Sequence, residues 1–301
     1  MRTERSATAA GLGALLLWST SIALMRGMSE RSGLLTGPMC ASLLGGVVGL
    51  LWALARGTSP ARMLGLGRRY LLGCGVLFVL CNVTLYLAIG ACRDRAQTLV
   101  VGLVNYLWPS LTVALSVPLL GRRARAGLPF GLAAAVAGTA LAVLGGGALA
   151  GADNAFWATP RGLFALAMAA AAALTWGLYS NLARRWGDPE RGAVPLFALA
   201  TAGALGFLLL LRPETVVWSA RGAAEVAVMG VASLAGAYAL WDLGMRRGDH
   251  ALLGVASYFV PVASTAVSAL YLGVRPGWNV LAGCALVVLG AWLSKSALLE
   301  S

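Results

Sequence analysis

Ten apolar runs dominate the chain, and each is about as long as a membrane-spanning helix. They lie at residues 8–25, 33–55, 70–90, 97–119, 127–149, 161–183, 192–211, 222–244, 250–271 and 276–294. A helix needs about 20 apolar residues to cross the hydrocarbon core of a bilayer. The runs are too long for barrel strands and lack the alternation of such strands. The sequence therefore predicts an all-α integral membrane protein with ten transmembrane helices.

The positive charge of the chain follows the ends of these runs. The net charge is +12, although only 11% of the 301 residues are charged. With a cytoplasmic N-terminus, fifteen Lys and Arg residues fall on inner segments and eight on outer segments. This asymmetry is typical of membrane orientation, so we do not expect a nucleic-acid partner. The chain would then be a multi-pass protein embedded in the lipid bilayer. Because the number of spans is even, both termini would lie in the cytoplasm.

The first apolar run and the cysteines have ordinary interpretations. The run follows Arg2 and Arg5 as a signal peptide would, but no clear cleavage site follows it, so we interpret it as an uncleaved first helix. The five cysteines are odd in number and form no C-x-x-C motif. We expect them to be packing residues, with no disulfide framework, no metal and no cofactor. A single lysine and abundant Ala and Gly hint at a bacterial source.

The two halves of the chain resemble each other faintly. An Ala-Leu-rich stretch before Trp18 in the first run is similar to one before Trp176 in the sixth. A Tyr-x-x-Pro motif occurs in the fourth run and again in the ninth, at Tyr106–Pro109 and Tyr258–Pro261. Five spans in each half would make the halves enter the membrane in opposite directions. Inverted repeats with matching helix breaks are typical of secondary transporters with a midplane binding site.

This pattern predicts the domain organisation. Residues 1–150 would form the first five-helix repeat, and residues 151–301 the second, in inverted orientation. Abundant glycine fits close packing between the helices, for example at Gly45-x-x-x-Gly49 in the second run. Such a motif serves either packing within the chain or a dimer face. The oligomeric state stays open, and a monomer is compatible with the sequence.

Three of the ten tryptophans are candidates for a binding surface. Most of the others lie near span ends, where an indole anchors at the membrane interface, and Trp241 lies close to the inner end of span eight. Trp18, Trp108 and Trp176 lie well inside their spans. An indole N–H at that depth needs a partner or a wet cavity. We expect these rings to line a substrate path, although a buried core would also accommodate them.

Polar groups accompany two proline kinks. A proline inside a helix removes the hydrogen bond to the carbonyl four residues earlier. Pro109 would free the carbonyl of Asn105, and Pro261 that of Ser257. We expect both prolines to be bend points, although packing kinks are an alternative. The polar side chains assigned to substrate binding beside the three tryptophans are those of Asn105, Tyr106, Tyr179, Ser257 and Tyr258.

Ionisable groups are nearly absent from the spans. Asp242 is the only acid well within a predicted span, and Arg246 lies one helical turn away. An ionisable residue in a span is often functional, so the two residues form either a gate or a structural pair. The sequence has no Walker A motif, no histidine-glutamate metal motif and no G-x-S-x-G motif. We therefore assign no catalytic residue and expect no enzyme.

These residues together resemble a known family. The stretches Leu-Leu-Leu-Trp18-Ser-Thr, Val-Asn105-Tyr-Leu-Trp-Pro-Ser-Leu-Thr and Ser257-Tyr-Phe-Val-Pro-Val are similar to those of the YddG-type aromatic amino acid exporters. That group belongs to the EamA branch of the drug/metabolite transporter superfamily. The resemblance implies two inverted five-helix repeats around a central cavity, with Trp18, Trp108 and Trp176 in its wall. It also implies export across the bacterial inner membrane.

The sequence thus predicts a secondary transporter that works by alternating access. Its substrate would be a small molecule, an aromatic or other amphipathic amino acid. A broader drug/metabolite transporter of the same fold is one alternative. A membrane scaffold or sensor that transports nothing is another. Flux of a substrate panel distinguishes the three classes.

Overall fold

A computed structural model describes residues 2–145, 155–188 and 191–298, and within them it leaves the side chains of 2, 3, 242, 245, 246, 250, 251, 254 and 255 undescribed. The described residues are helical, apart from turns, short connections and an isolated bridge between Ala124 and Leu298. In chain order the helices are α1 Arg2–Ser19, α2 Ser21–Arg31, α3 Thr36–Ala55, α4 Pro60–Leu64, α5 Gly75–Ala91, α6 Arg95–Asn105, α7 Trp108–Leu120, α8 Gly127–Leu144, α9 Ala155–Ala158, α10 Pro160–Trp186, α11 Val194–Leu211, α12 Ala220–Val228, α13 Ala237–Arg247, α14 His250–Ser257, α15 Val260–Leu272 and α16 Trp278–Ser296. Two π-helical segments, Arg69–Cys74 and Met229–Gly236, lead into α5 and α13.

The predicted membrane architecture is confirmed. Within the described ranges, nine helical stretches are long and apolar enough to cross a bilayer, and α15 is a shorter apolar helix. With α14, which precedes it, α15 corresponds to the ninth predicted span, so all ten predicted spans are helical. The last residues of the fifth predicted span, 146–149, lie outside the described residues. The protein is a multi-pass membrane protein with ten spans, some of which consist of two consecutive helices.

The described chain divides into two compact units, and each combines segments from both halves of the sequence. The first unit contains Met1–Gly67 and Asp188–Val267, and the second contains Arg68–Gly187 and Ser268–Ser301. In the first unit α1 packs along α13 and α3 packs along α11. In the second unit α10 packs along α5 and α8 packs along α16.

Glycines permit the close helix packing inside each unit. In the first unit, a Cβ on Gly45 would lie 2.7 Å from the Cβ of Leu234 and 2.8 Å from the carbonyl oxygen of Gly230. In the second unit, a Cβ on Gly138 would lie 2.9 Å from the Cβ of Leu286. Small residues bring helix backbones together in this way in a membrane, where apolar burial does little to drive association. The Gly45 motif therefore serves packing within the chain.

Ion pairs join helix ends in the first unit. The guanidinium of Arg31, at the end of α2, donates to both carboxylate oxygens of Glu225 on α12, and the Nε–Oε2 distance is 2.9 Å. The Glu225 side chain is only 3% exposed. Glu214 accepts hydrogen bonds from the amides of Leu35 and Thr36 at the start of α3. A carboxylate is favourable at a helix N-terminus because the first N–H groups there have no partner in the helix.

Candidate functional site

Both Tyr-x-x-Pro motifs coincide with interruptions in a helix. In the second unit α6 ends at Asn105 and α7 begins at Trp108. The amide of Leu107, two residues before Pro109, donates to the carbonyl of Val104, three residues earlier, at 3.1 Å. This three-residue spacing tightens the chain where the proline cannot donate.

The second motif has the same local geometry in the first unit. There α14 ends at Ser257 and α15 begins at Val260. The amide of Phe259, two residues before Pro261, donates to the carbonyl of Ala256 at 3.0 Å. The two interruptions therefore match residue for residue. Whether either proline acts as a moving bend point stays a prediction.

Two of the predicted tryptophans meet in the second unit. The rings of Trp108 on α7 and Trp176 on α10 contact each other edge to face, with their centroids 6.3 Å apart. Tyr179 lies 5.3 Å from Trp176, and Phe78 on α5 lies 5.6 Å from Tyr179. We call these four side chains the second-unit aromatic cluster. Trp108 and Trp176 are half-buried, whereas Tyr179 is buried.

Trp18 has its own aromatic neighbours in the first unit. Its ring lies 5.2 Å from that of Tyr238, nearly perpendicular to it, and 5.5 Å from that of Trp241. Both neighbours are on α13, and we call the three side chains the first-unit aromatic cluster. The chain of α1 ends directly after Trp18, and α2 begins at Ser21. At the break, the Oγ1 of Thr20 donates to the carbonyl of Leu17 at 2.7 Å, which satisfies an acceptor that the helix end exposes.

The remaining predicted polar residues lie at the two helix interruptions. Asn105 and Tyr106 are buried at the end of α6, with 9% and 6% of their surfaces exposed. Ser257 is half-buried, and Tyr258 is buried after the end of α14. The predicted pair of Asp242 and Arg246 lies on α13, but both side chains are outside the described residues.

Sequence reasoning missed three members of the aromatic clusters. Phe78 and Tyr238 lie in apolar runs that hold other aromatic residues, and neither carries a motif. Their positions on the third and eighth spans, which the repeat pairs with each other, were the available signal. Trp241 lies near a span end in the sequence, whereas in the structure its ring packs against Trp18. A ring near a span end can contact one deeper in the membrane when the two helices cross.

The site has no arrangement typical of metal chemistry. Among the described side chains, no group of three or more His, Cys, Asp or Glu residues is placed to hold a metal ion. All five cysteines are free thiols. What the aromatic clusters offer chemically is a set of ring faces and edges beside hydroxyl and amide groups. Such surfaces bind apolar or aromatic groups by ring contact and orient polar groups by hydrogen bonds.

A ten-helix membrane fold with interrupted helices and aromatic clusters inside its spans defines a protein of the secondary-transporter class. The model of the EamA-like transporter family matches residues 163–295. The Aromatic amino acid exporter YddG of Salmonella typhimurium is 32% identical over 293 residues, covering 97% of both chains. That of Escherichia coli is 31% identical with the same coverage. That of Ancylobacter novellus is 36% identical and covers 96% of both chains.

A solved structure agrees with these relatives. The crystal structure of a protein with 32% sequence identity superposes with a TM-score of 0.68, covering 97% of this chain and 98% of that one. The chain therefore belongs to the EamA-like transporter family, and it is similar to the YddG exporters over almost its whole length.

Proposed function

We propose that this protein exports aromatic amino acids, and other amphipathic amino acids, across the bacterial inner membrane by alternating access. The observation that carries the proposal is the second-unit aromatic cluster at the middle of its spans. Four rings lie within 5.3–6.5 Å of a neighbour there. The relatives named as aromatic amino acid exporters, which match almost the whole chain, support the same substrate class.

The cluster binds the ring of the substrate. Trp108 and Trp176 are half-buried, so each keeps part of its indole surface available for a ligand. A substrate ring that replaces water on this surface gains apolar contact and edge-to-face geometry, worth about 0.5–1.5 kcal/mol per ring pair beyond the buried area. Trp18, in the first-unit cluster, offers the same kind of surface.

Within each unit, the helix interruption offers groups for the polar end of a substrate. Helix ends leave backbone carbonyls and amides without helical partners. Asn105 and Tyr106 stand at one such end, and Ser257 and Tyr258 stand at the other. Amide, hydroxyl and carbonyl groups suit an ammonium and a carboxylate held in one zwitterion. The matched interruptions before Pro109 and Pro261 then give each unit a place to bend during transport.

The inverted-repeat organisation belongs to the same proposal. Residues 1–150 and 151–301 each contribute five spans, and the helix pairs within the units correspond under that division. Span one packs on span eight in the first unit, and span six packs on span three in the second. Trp18 and Tyr238 form an edge contact in the first pair, and Trp176 and Phe78 are close in the second. In this proposal both termini lie in the cytoplasm, and the protein acts as a transporter and not as an enzyme.

Flux measurements test the proposal. Vesicles that contain the purified protein are loaded with labelled Trp, Phe, Met or Lys. Efflux of the label is then followed with and without a proton gradient. We expect fast efflux of Trp and Phe and slower efflux of Met. Efflux of Lys should be no faster than from Lys-loaded vesicles that lack the protein. Equal efflux of all four, or of unrelated drugs, would favour a broader metabolite transporter. Efflux of none would favour a scaffold or sensor.

A further inference from the structure

Asn181 is a buried polar residue that lies next to the aromatic cluster without belonging to it. It is on α10, five residues after Trp176, and only 3% of its surface is exposed. Its Nδ2 donates to the carbonyl of Thr112 on α7 at 2.9 Å and to the carbonyl of Gly177 on its own helix at 2.8 Å. One amide group thus joins α10 to α7 at the level of the cluster.

The hydrogen bonds continue from Thr112 to the start of α7. The Oγ1 of Thr112 donates to the carbonyl of Trp108 at 2.7 Å. Trp108 is the first residue of α7 and follows the interruption at Tyr106 and Leu107. A break separates α7 from α6. The position of the first turn of α7 therefore depends on contacts with neighbouring helices. The hydrogen bonds from Asn181 to Thr112 and from Thr112 to Trp108 form such a contact, and they end at Trp108 itself.

Tight packing accompanies this hydrogen bond. A Cβ on Gly177 would lie 3.2 Å from Cδ1 of Leu115 and 3.3 Å from the amide nitrogen of Thr112. Because Gly177 has no side chain, α10 can pack this close to α7. The hydrogen bond from Asn181, one turn further along, prevents them from moving apart. Together the two contacts fix the separation of α7 and α10 and hence the spacing of Trp108 and Trp176.

We propose that Asn181 is a positioning residue that sets the spacing of Trp108 and Trp176 and thereby determines which aromatic side chain the cluster prefers. It acts through Thr112 and need not touch the substrate. A larger separation of the two rings would loosen the fit to one ring size and relax selectivity between tryptophan and phenylalanine. The part of this inference that concerns selectivity rests on the proposed function, whereas the part that concerns ring geometry does not.

Asn279 provides a matched control. It is also buried, with 4% of its surface exposed, and it lies in the same unit. Its Nδ2 donates to the carbonyl of Ala142 across α16 and α8 at 2.8 Å. Asn181→Leu and Asn279→Leu therefore remove the same kind of bond between helices. Only the first removes a bond to α7.

The first measurement is near-ultraviolet circular dichroism of the purified full chain, because close indole rings give a coupled signal. The contribution of Trp108 is obtained as the difference between each protein and its Trp108→Phe form. We expect Asn181→Leu to lower that contribution by about half or more, and Asn279→Leu to leave it unchanged. An unchanged contribution in Asn181→Leu overturns the proposal whatever the protein transports.

The second measurement is the ratio of the KM values for tryptophan and phenylalanine efflux. We expect Asn181→Leu to change this ratio by about threefold, as the loss of one neutral hydrogen bond would, and Asn279→Leu to leave it constant. A changed dichroism with a constant ratio overturns the role in selectivity. If the unsubstituted protein exports neither amino acid, the proposed function fails, and the dichroism alone decides whether Asn181 sets the ring geometry.

A second variant covers the case in which Asn181→Leu does not fold. Thr112→Val keeps the shape of the side chain and removes only the hydroxyl that donates to Trp108. Its control is Thr84→Val on α5, which removes a bond from Oγ1 to the carbonyl of Leu80 at 2.7 Å. We expect Thr112→Val to change the dichroism and the KM ratio in the same direction as Asn181→Leu, and Thr84→Val to change neither. Identical behaviour of the two threonine variants overturns the proposal.

Discussion

The indole rings of Trp108 and Trp176 meet edge to face at 6.3 Å, although 68 positions separate them in the chain. Their helices, α7 and α10, are joined near the rings by the hydrogen bond from Asn181 to Thr112, and further along by one from Arg185 to Leu119. We propose that this contact serves substrate binding, because both rings keep exposed surface at the middle of apolar spans. A buried structural pair would have no such surface to offer a ligand.

The orientation of the chain leads to the first prediction. Positive charge is concentrated on the segments assigned to the cytoplasm. A reporter fused after Ser301 should therefore read as cytoplasmic, and one fused after Asp153 should read as extracytoplasmic. Paired phosphatase and fluorescent-protein fusions make this measurement. If both positions report the same side, the inverted orientation of the two halves is wrong.

The ion pair between Arg31 and Glu225 leads to the second prediction. Glu225→Ala should lower the unfolding free energy by about 2–4 kcal/mol, because it removes the buried carboxylate and leaves Arg31 with the longer contact to Glu30 at 3.9 Å. Asp188→Ala is the control, since Asp188 pairs with Arg191 at 2.9 Å and the two side chains are 26% and 49% exposed. Loss of such a pair should cost under about 1 kcal/mol.

Thermal unfolding in detergent compares the two variants of that prediction. Glu225→Ala should unfold at a clearly lower temperature than Asp188→Ala. Equal unfolding temperatures would show that the buried pair adds no more stability than the exposed one.

Energy coupling leads to the third prediction. An ion-driven cycle usually depends on an ionisable or oxygen-rich site within the membrane, and Asp242 is the only candidate from the sequence. We predict that downhill efflux proceeds without a pH gradient or membrane potential and that Asp242→Asn lowers it only modestly. Vesicle efflux with and without ionophores is the measurement. If Asp242→Asn abolishes uphill transport and spares downhill exchange, Asp242 is a proton site and uniport is wrong.

The ten spans could be predicted from the sequence because burial in lipid requires long apolar runs, which hydropathy detects directly. The interruptions at Tyr106 and Tyr258 could be predicted because each lies just before a proline, which cannot donate a helical hydrogen bond. The break at Thr20 could not, because no proline or glycine marks it. The π-helical segment Met229–Gly236 could not be predicted either, because its two glycines are equally typical of close packing in a regular helix.

The candidate site was only partly predictable for a related reason. Trp18, Trp108 and Trp176 could be selected by their depth within a span, which is a property of one helix. For their neighbours Phe78 and Tyr238 the repeat-related spans were the only signal, because an aromatic residue in an apolar run is ordinary until its packing partner is known. The role of Asn181 depends on its contact with Thr112, a residue 69 positions away on another helix. No local pattern in the chain encodes that contact.

The most direct test of this account compares two tryptophan substitutions in the same efflux assay. Trp108 belongs to the aromatic cluster, whereas Trp278 begins α16 and is 56% exposed. At equal amounts of protein in the vesicles, Trp108→Ala should raise the KM for tryptophan efflux by about tenfold, since ring contact and apolar area are both lost. Trp278→Ala should leave this KM within about twofold of the unsubstituted protein, a change below 0.5 kcal/mol. Equal KM values for the two variants would contradict the claim that the cluster binds the substrate.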